Sequence, residues 1–335
     1  MYLLELAGDD DAFALVEAAR AADGVAPLAP GLATARGLSA RVRGLAYTHR
    51  ASELLGRADP DVEAARALLS ASSVDRTGTV AVRARDVRGL TGVDTQHAER
   101  ELGAVLTDRG FAVDLEDPDH ELRAVFSEGT CALGWLTAES VRDFGDRKPT
   151  DRPFFQPGSM DPFLARALAN VAGARPGATI LDPMCGTGGV LLEAGLVGAE
   201  VVGLDAQRKM VRGARRNLAH VLAGDAGVEG LPAPGGFDVV RGDATALPLA
   251  DGAVDGVVFD APYGRQSKVA THDLADLVAG ALAEARRVAP RCVVVADRSW
   301  ADAARAAGWT VTDRFQRRVH RSLTRHVLVL SAAPA

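Results

Sequence analysis

Two periods of apolar residues organise the 335-residue chain. "MYLLELA" is a short apolar run that predicts a strand. "DDDAFALVEAARAAD" has helical spacing, with acids at its N-terminus where the helix dipole favours negative charge, and Gly24 stops it. Residues 25–56 mix Pro and Gly turns with the apolar segment "ARVRGLAYTHRASELL", which reads as a small α+β piece. Period two returns in "GTVAVRARDV" (78–87), a half-buried strand with Arg83 and Arg85 on its outer face. Across 94–110, Ala98, Leu102, Val105 and Leu106 recur at helical spacing up to Gly110. "FAVDLEDPD" then reads as strand and turn, and "HELRAVFSEGTCALGWL" as strand, turn, strand. That order suits a small sheet with helices on one side.

From Leu136 to Pro162 the periodicity lapses. "TAESVRDFGDRKPTDRPFFQPGSMDP" carries four prolines and scattered charge, and predicts a linker that becomes ordered against something. Beyond it the runs "ATILD", "AEVVGLD", "FDVVRGD", "VDGVVFD" and "RCVVVAD" alternate with helical segments, which predicts a doubly wound parallel sheet. "WTVTDRFQRRVHRSLTRHVLVLS" reads as an antiparallel hairpin at the sheet edge, turning around "HRS". The expected division is an α+β module at 1–58, a second small domain at 59–136, a linker at 137–160 and the doubly wound domain at 161–335.

Composition changes this picture little. Apolar residues make up 47% and charged residues 24%, a globular balance, and no apolar run nears the ~20 residues that span a bilayer. The start lacks the basic stretch of a secretion signal. Cys131, Cys185 and Cys292 are widely spaced and the seven histidines show no paired-ligand spacing, so a reduced cytoplasmic protein without metal is expected. Charge is uneven beneath a net −6: residues 1–150 hold 17 basic and 25 acidic side chains, residues 151–335 hold 21 and 19. Total charge therefore does not favour nucleic acid, and any RNA site must be a local basic patch.

The chemistry concentrates at strand ends. "ILDPMCGTGGVLLEA" is strand, glycine turn and helix, with Gly186, Gly188 and Gly189 letting backbone approach a ligand. A dinucleotide fingerprint would read GxGxxG. Here the turn reads GTGG, and Asp182 just before it would repel a pyrophosphate yet receive the cationic amino-acid end of S-adenosylmethionine. Asp205 ends the next strand, where a carboxylate can take both ribose hydroxyls. Asp243 follows the third strand, near where an adenine amino group would lie, and Asp260 ends the fourth. In "FDAPYGRQ", Asp260 can accept one N–H of an exocyclic amine and the Pro262 carbonyl the other, while Tyr263 can stack on a base taken out of its helix. Such a site works by positioning and electrostatics. No cysteine lies near Asp260 to serve as a C5-methylation nucleophile.

"RPFFQPGSMDP", "LDPMCGTGGVLLEA", "GLDAQ", "GDAT", "DAPYG" and "VHRSLTRHVLVL" together resemble archaeal tRNA guanine-10 N2-methyltransferases, and the segment from "VAVRARD" to "HELRAVF" resembles a THUMP RNA-binding domain. The resemblance spans about residues 60–331. It implies a Rossmann-like class I methyltransferase with a seven-stranded, mostly parallel sheet, a THUMP-containing N-terminal region, S-adenosyl-L-methionine as cofactor and tRNA as partner; the sequence does not give the oligomeric state, a monomer being favoured. It places catalysis on Asp260, Pro262 and Tyr263, and the cofactor on Asp182, Gly186, Gly188, Asp205 and Asp243. Pro157 and Ser159 match a segment closing over the methionine end. Ala261 departs from the family's Asp/Asn-Pro-Pro-Tyr/Phe pattern. Arg83, Arg85 and Arg88, then Arg265 and Lys268, then Arg317 and Arg321 within a hairpin that also holds Arg314, Arg318 and Arg325, are candidate phosphate contacts. A DNA adenine-N6 or other RNA guanine-N2 methyltransferase, a non-catalytic RNA-binding factor and a nicotinamide oxidoreductase are the competing readings.

Overall fold

Asp10, Asp61, Asp94 and Asp161 each precede a helix and accept a backbone N–H from its first turn, an arrangement contributing about 1 kcal/mol per cap. The computed structural model describes residues 1–223, 227–262, 273–320 and 323–332. It divides into two units, Met1–Ser140 and Val141–Ala335. Among the described residues no helix is long and apolar enough to cross a membrane.

The first unit runs β1 (Tyr2–Leu6), α1 (Asp11–Ala18), β2 (Ala22–Asp23), β3 (Ala26–Ala29), β4 (Leu32–Ala35), β5 (Gly37–Leu38), β6 (Thr48–Ala58), α2 (Val62–Ala71), β7 (Thr79–Asp86), α3 (Thr95–Asp108), β8 (Ala112–Val113), β9 (His120–Ser127) and β10 (Thr130–Glu139). One sheet of order β3-β4-β1-β6-β10-β9-β7-β8 joins them, while β2 and β5 pair with each other. Its centre is the antiparallel pairing of β6 with β10, from Cys131 opposite Ala58 to Glu139 opposite Arg50. Residues 1–58 and 59–136, expected as separate modules, thus share one backbone ladder. Ala65 and Leu69 of α2 and Leu102 and Leu106 of α3 pack with Val80, Leu122 and Leu133 of the sheet. Glu5 of β1 is buried, and Arg123 of β9 bonds both its oxygens at 2.8 and 3.0 Å. Burial pulls its carboxyl upward, but the Arg123 bonds and the nearby Arg50 and Arg85 charges hold it below the usual glutamate range.

The second unit contains α4 (Pro162–Ala172), β11 (Thr179–Asp182), α5 (Gly189–Leu196), β12 (Glu200–Asp205), α6 (Arg208–Leu222), β13 (Phe237–Arg241), β14 (Gly256–Asp260), α7 (Leu274–Val288), β15 (Arg291–Ala296), α8 (Ala301–Ala306), β16 (Trp309–His320) and β17 (Leu323–Ala332). The sheet order is β13-β12-β11-β14-β15-β17-β16. The first five strands are parallel; β17 runs antiparallel to both β15 and β16, as the sequence predicts. Leu181, Val257, Phe259 and Val294 pack with Val278, Leu282 and Ala285 of α7 and with Leu328 and Leu330 of β17. Each such large side chain contributes about 1.5–3 kcal/mol by leaving water.

Residues 141–160, expected as a linker, belong to this second unit. Arg147 and Arg166 both pair with Glu193 of α5, at 3.0 and 2.7 Å, and Arg166 and Glu193 are fully buried. Arg152 is also buried and donates to the Arg147 carbonyl at 3.0 Å. The segment is thus ordered against α5, with Arg147 meeting Glu193 across 46 residues of sequence.

Candidate active site

The chain winds from β11 outward to β12 and β13, then crosses back to lay β14 on the other side of β11. At such a switch point the connections diverge and leave a crevice at the strand C-termini. Asp182 and Asp260 end the two strands that flank it. Asp205 ends β12, and Asp243 stands two residues beyond β13. In space the acids therefore follow one sheet edge in the order Asp243, Asp205, Asp182, Asp260.

Gly186 and Gly188 adopt left-handed φ values of 52° and 79°, which favour glycine, and swing the chain from β11 into α5. The Gly186 N–H donates to Asp205 at 3.0 Å and the Gln207 N–H donates to its other oxygen at 2.8 Å. The Met184 N–H donates to Asp182 at 3.0 Å. Burial pushes the Asp182 carboxyl well above the usual range; the Met184 bond opposes this, and repulsion from Asp205 and Asp260 adds to it. Burial likewise raises Asp205 against its two N–H bonds. Two buried acids that resist ionisation, Asp182 and Asp205, are completed by a cation and by hydroxyl donors. The residues fit S-adenosylmethionine in this sense: Asp182 suits its ammonium and Asp205 its ribose. Asp243 accepts from both the backbone N–H and the hydroxyl of Thr245, at 2.9 and 2.8 Å. Cys185 is buried beside this turn and its thiol is pushed up by burial, a packing residue. Among the described residues no group of three or more His, Cys, Asp or Glu could hold a metal ion.

The segment carrying Pro157 and Ser159 reaches the same turn. The Ser159 hydroxyl lies 3.1 Å from the Thr187 hydroxyl, between Gly186 and Gly188, while Pro157 is exposed. Sequence reasoning missed what holds the segment there. Asn217 of α6, fully buried, accepts the Phe154 N–H at 2.9 Å and donates to the carbonyls of Phe154 and Thr187 at 2.8 and 2.9 Å. The Phe154 ring fills the space that a side chain at Gly213 would occupy, and Lys209 lies 5.7 Å from its centre. The available signal was a polar residue on the buried face of α6, among Val211, Ala214 and Leu218.

At the end of β14 the Ala261 N–H donates to the Val295 carbonyl at 2.8 Å, and its methyl group is buried in the core. A proline there would forfeit that bond, so alanine extends the strand pairing by one residue. Pro262 follows, half-buried. Tyr263, Arg265, Lys268 and Arg321 lie outside the described residues. The other candidate phosphate contacts are brought together less than expected. Arg83 donates to the Leu115 carbonyl at 2.6 Å, Arg85 pairs with Glu5 at 3.3 Å, and Arg88 pairs with Asp11 at 2.6 Å. Arg317 is half-buried opposite Arg325, whereas Arg314 and Arg318 are exposed on β16. Arg325 is buried, with its Nη2 3.8 Å from Asp260.

Comparison with known proteins places this site in context. Residues 149–326 match the family described as UPF0020: RMKL-like, methyltransferase domain. The chain is 37% identical over 296 residues to a tRNA (guanine(10)-N2)-dimethyltransferase of Methanothermobacter thermautotrophicus, covering 85% of this chain and 83% of that one. A Pyrococcus abyssi protein of the same name is 32% identical over 261 residues, covering 76% and 74%. In fold, TrmN from Thermus thermophilus superposes with a TM-score of 0.50 at 22% identity over 99% of both chains.

Proposed function

We propose, for a chain that belongs to the family of the archaeal tRNA (guanine(10)-N2)-dimethyltransferases, that its site methylates the exocyclic N2 of a guanosine in tRNA, at position 10, with S-adenosyl-L-methionine as donor. One observation carries this: acids on successive strand ends frame the crevice, with Asp182 and Asp260 on its two sides. The cofactor supplies an electrophilic sulfonium methyl. Asp182 receives its ammonium and Asp205 its ribose hydroxyls, with Asp243 toward the adenine. Ser159 and Pro157 cover the methionine end from the segment fixed by Asn217.

On the other side Asp260 accepts one N–H of the guanine amine and the Pro262 carbonyl accepts the second, which turns the nitrogen lone pair toward the methyl group. The lone pair is delocalised into the base, so the two acceptors favour the more tetrahedral nitrogen of the transition state. With the donor bound, its methyl would pass to this nitrogen, the C–S bonding electrons staying on sulfur, and the methylated amine would release its proton beside Asp260. Tyr263 stacks on the flipped base. The THUMP-like first unit supplies tRNA affinity in the cytoplasm, and the exposed Arg314 and Arg318 suit phosphate better than Arg317 does.

The test is incubation with labelled S-adenosylmethionine and either unmodified tRNA or duplex DNA, followed by digestion and nucleoside identification. Label on guanine N2 of tRNA supports the reading; label on DNA adenine, or none, refutes it. Asp260→Ala is expected to slow transfer by about two to three orders of magnitude while leaving cofactor affinity within about threefold. Wild-type-like turnover by that variant would remove Asp260 from the mechanism.

A further inference from the structure

Arg325 does not sit where a phosphate contact should. It is 6% exposed, on a strand that continues through His326 into the apolar run from Val327 to Leu330. Burying a guanidinium is unfavourable unless an opposite charge meets it. Strand β17 pairs with β15, His326 lying opposite Ala296, and β15 pairs with β14, Val295 lying opposite Asp260. The Arg325 side chain therefore reaches across the end of β15 to the end of β14. Its Nη2 stands 3.8 Å from the Asp260 carboxylate, beyond hydrogen-bond reach, so it acts on that oxygen through charge.

Asp260 has an opposing neighbour. Asp182 ends the adjacent strand β11, and the two carboxylates repel. Two acids at one crevice mouth tend to share a proton, and a protonated Asp260 would offer a guanine amine a donor where an acceptor is needed. Asp182 of β11 and Arg325 of β17 are among the charged groups that face Asp260, and Arg317 of β16 lies opposite Arg325.

We propose that Arg325 is a positioning residue of the methyl-transfer site, the counter-charge that keeps the Asp260 carboxylate ionised beside Asp182 and fixed at the end of β14. The inference rests on the assignment of Asp260 to the amine. Its first test needs no turnover and so fails separately from that assignment. In the full chain labelled with [13C]aspartate, the Asp260 carboxyl resonance is identified by its loss in Asp260→Asn and followed through an acid titration. Arg325→Gln is expected to move its midpoint upward by about one pH unit, and Arg325→Lys by less than about half of that. An unchanged midpoint in Arg325→Gln overturns the proposal. Should that variant fail to fold, the wild type decides alone, because an Asp260 that remains protonated at neutral pH overturns it too.

Single-turnover transfer to tRNA gives the second test. Arg325→Gln is expected to be about tenfold slower, with the acidic limb of the rate profile moved upward, while Arg325→Lys recovers most of the rate and tRNA affinity stays within about twofold. Loss of tRNA affinity by about tenfold or more at an unchanged transfer rate would assign Arg325 to phosphate and refute the counter-charge role.

Discussion

Replacing Gly213 by alanine is expected to destabilise the second unit and weaken cofactor binding, although the same exchange ordinarily strengthens a helix. In the open interior of a helix it gains about 1 kcal/mol. At Gly213 the new β-carbon would lie 1.9, 2.2 and 2.4 Å from Cδ1, Cε1 and Cγ of Phe154. The ring cannot follow by sliding its backbone, because the N–H and carbonyl of Phe154 are both bonded to Asn217. Overpacking of this kind costs about 1–3 kcal/mol, so after the helix gain the net loss reaches about 2 kcal/mol, or up to roughly 8 °C in Tm for a unit of this size. If about 1.4 kcal/mol of it falls on the segment that carries Ser159, S-adenosylmethionine binds about tenfold more weakly. Thermal melts and titration calorimetry read both quantities. Gly103→Ala is the control: it lies within α3 with nothing within 4 Å of the added carbon, so it should stabilise by about 1 kcal/mol. Trimming Phe154 to alanine in the Gly213→Ala background should return part of the cofactor affinity. A Gly213→Ala protein that melts like Gly103→Ala and binds the cofactor normally would refute the packing argument.

Two further expectations concern acidity. The Asp182 carboxyl is raised in the folded chain, so its contribution to stability is greatest below the unfolded value of about 3.8 and is lost as pH rises through the folded one. Without cofactor, Asp182→Asn should therefore gain stability over the wild type as pH rises, and lose that advantage when S-adenosylmethionine is added; denaturation with and without cofactor decides, and a variant destabilised at every pH would contradict it. Glu5 has the opposite sign. Its lowered carboxyl contributes stability above about pH 4.5 that is lost as pH falls through the folded value, so Glu5→Gln should flatten the acid limb of the first unit's stability while costing about 1.5–3 kcal/mol near neutrality, because Arg123 keeps Glu121 at 3.1 Å but loses its bonds to a buried carboxylate. Equal acid slopes in variant and wild type would argue against this pairing.

Strands β11 to β15 were legible because each is a short apolar run closed by an acid or a turn, and for β11, β12, β14 and β15, inside the sheet, burial on both faces demands that composition. Asp182, Asp205 and the glycine turn were legible for the same local reason. What escaped depends on distance in sequence. Phe154 meets Asn217 across 63 residues and Arg147 meets Glu193 across 46, and no local period encodes either pairing. The pairing of β6 with β10 was equally hidden, so two expected modules proved to share one sheet. Arg325 was grouped with its exposed neighbours on the hairpin: alternation along a strand rules out one phosphate track for all of them, but does not say which one turns toward Asp260.

The strap from Val141 to Met160 sets what can be inherited as a piece. Its Arg147 is tied to Glu193 of α5, and its Phe154 is tied to α6. A recombination event joining this second unit to a different first unit would succeed if the crossover fell near Ser140. One placed at Asp161, where the regular alternation of strand and helix begins, would inherit all seven strands and the acid rim, yet leave Glu193 facing a single arginine and Asn217 without its Phe154 partners. The exchangeable cassette is thus about twenty residues longer than the nucleotide-binding fold itself.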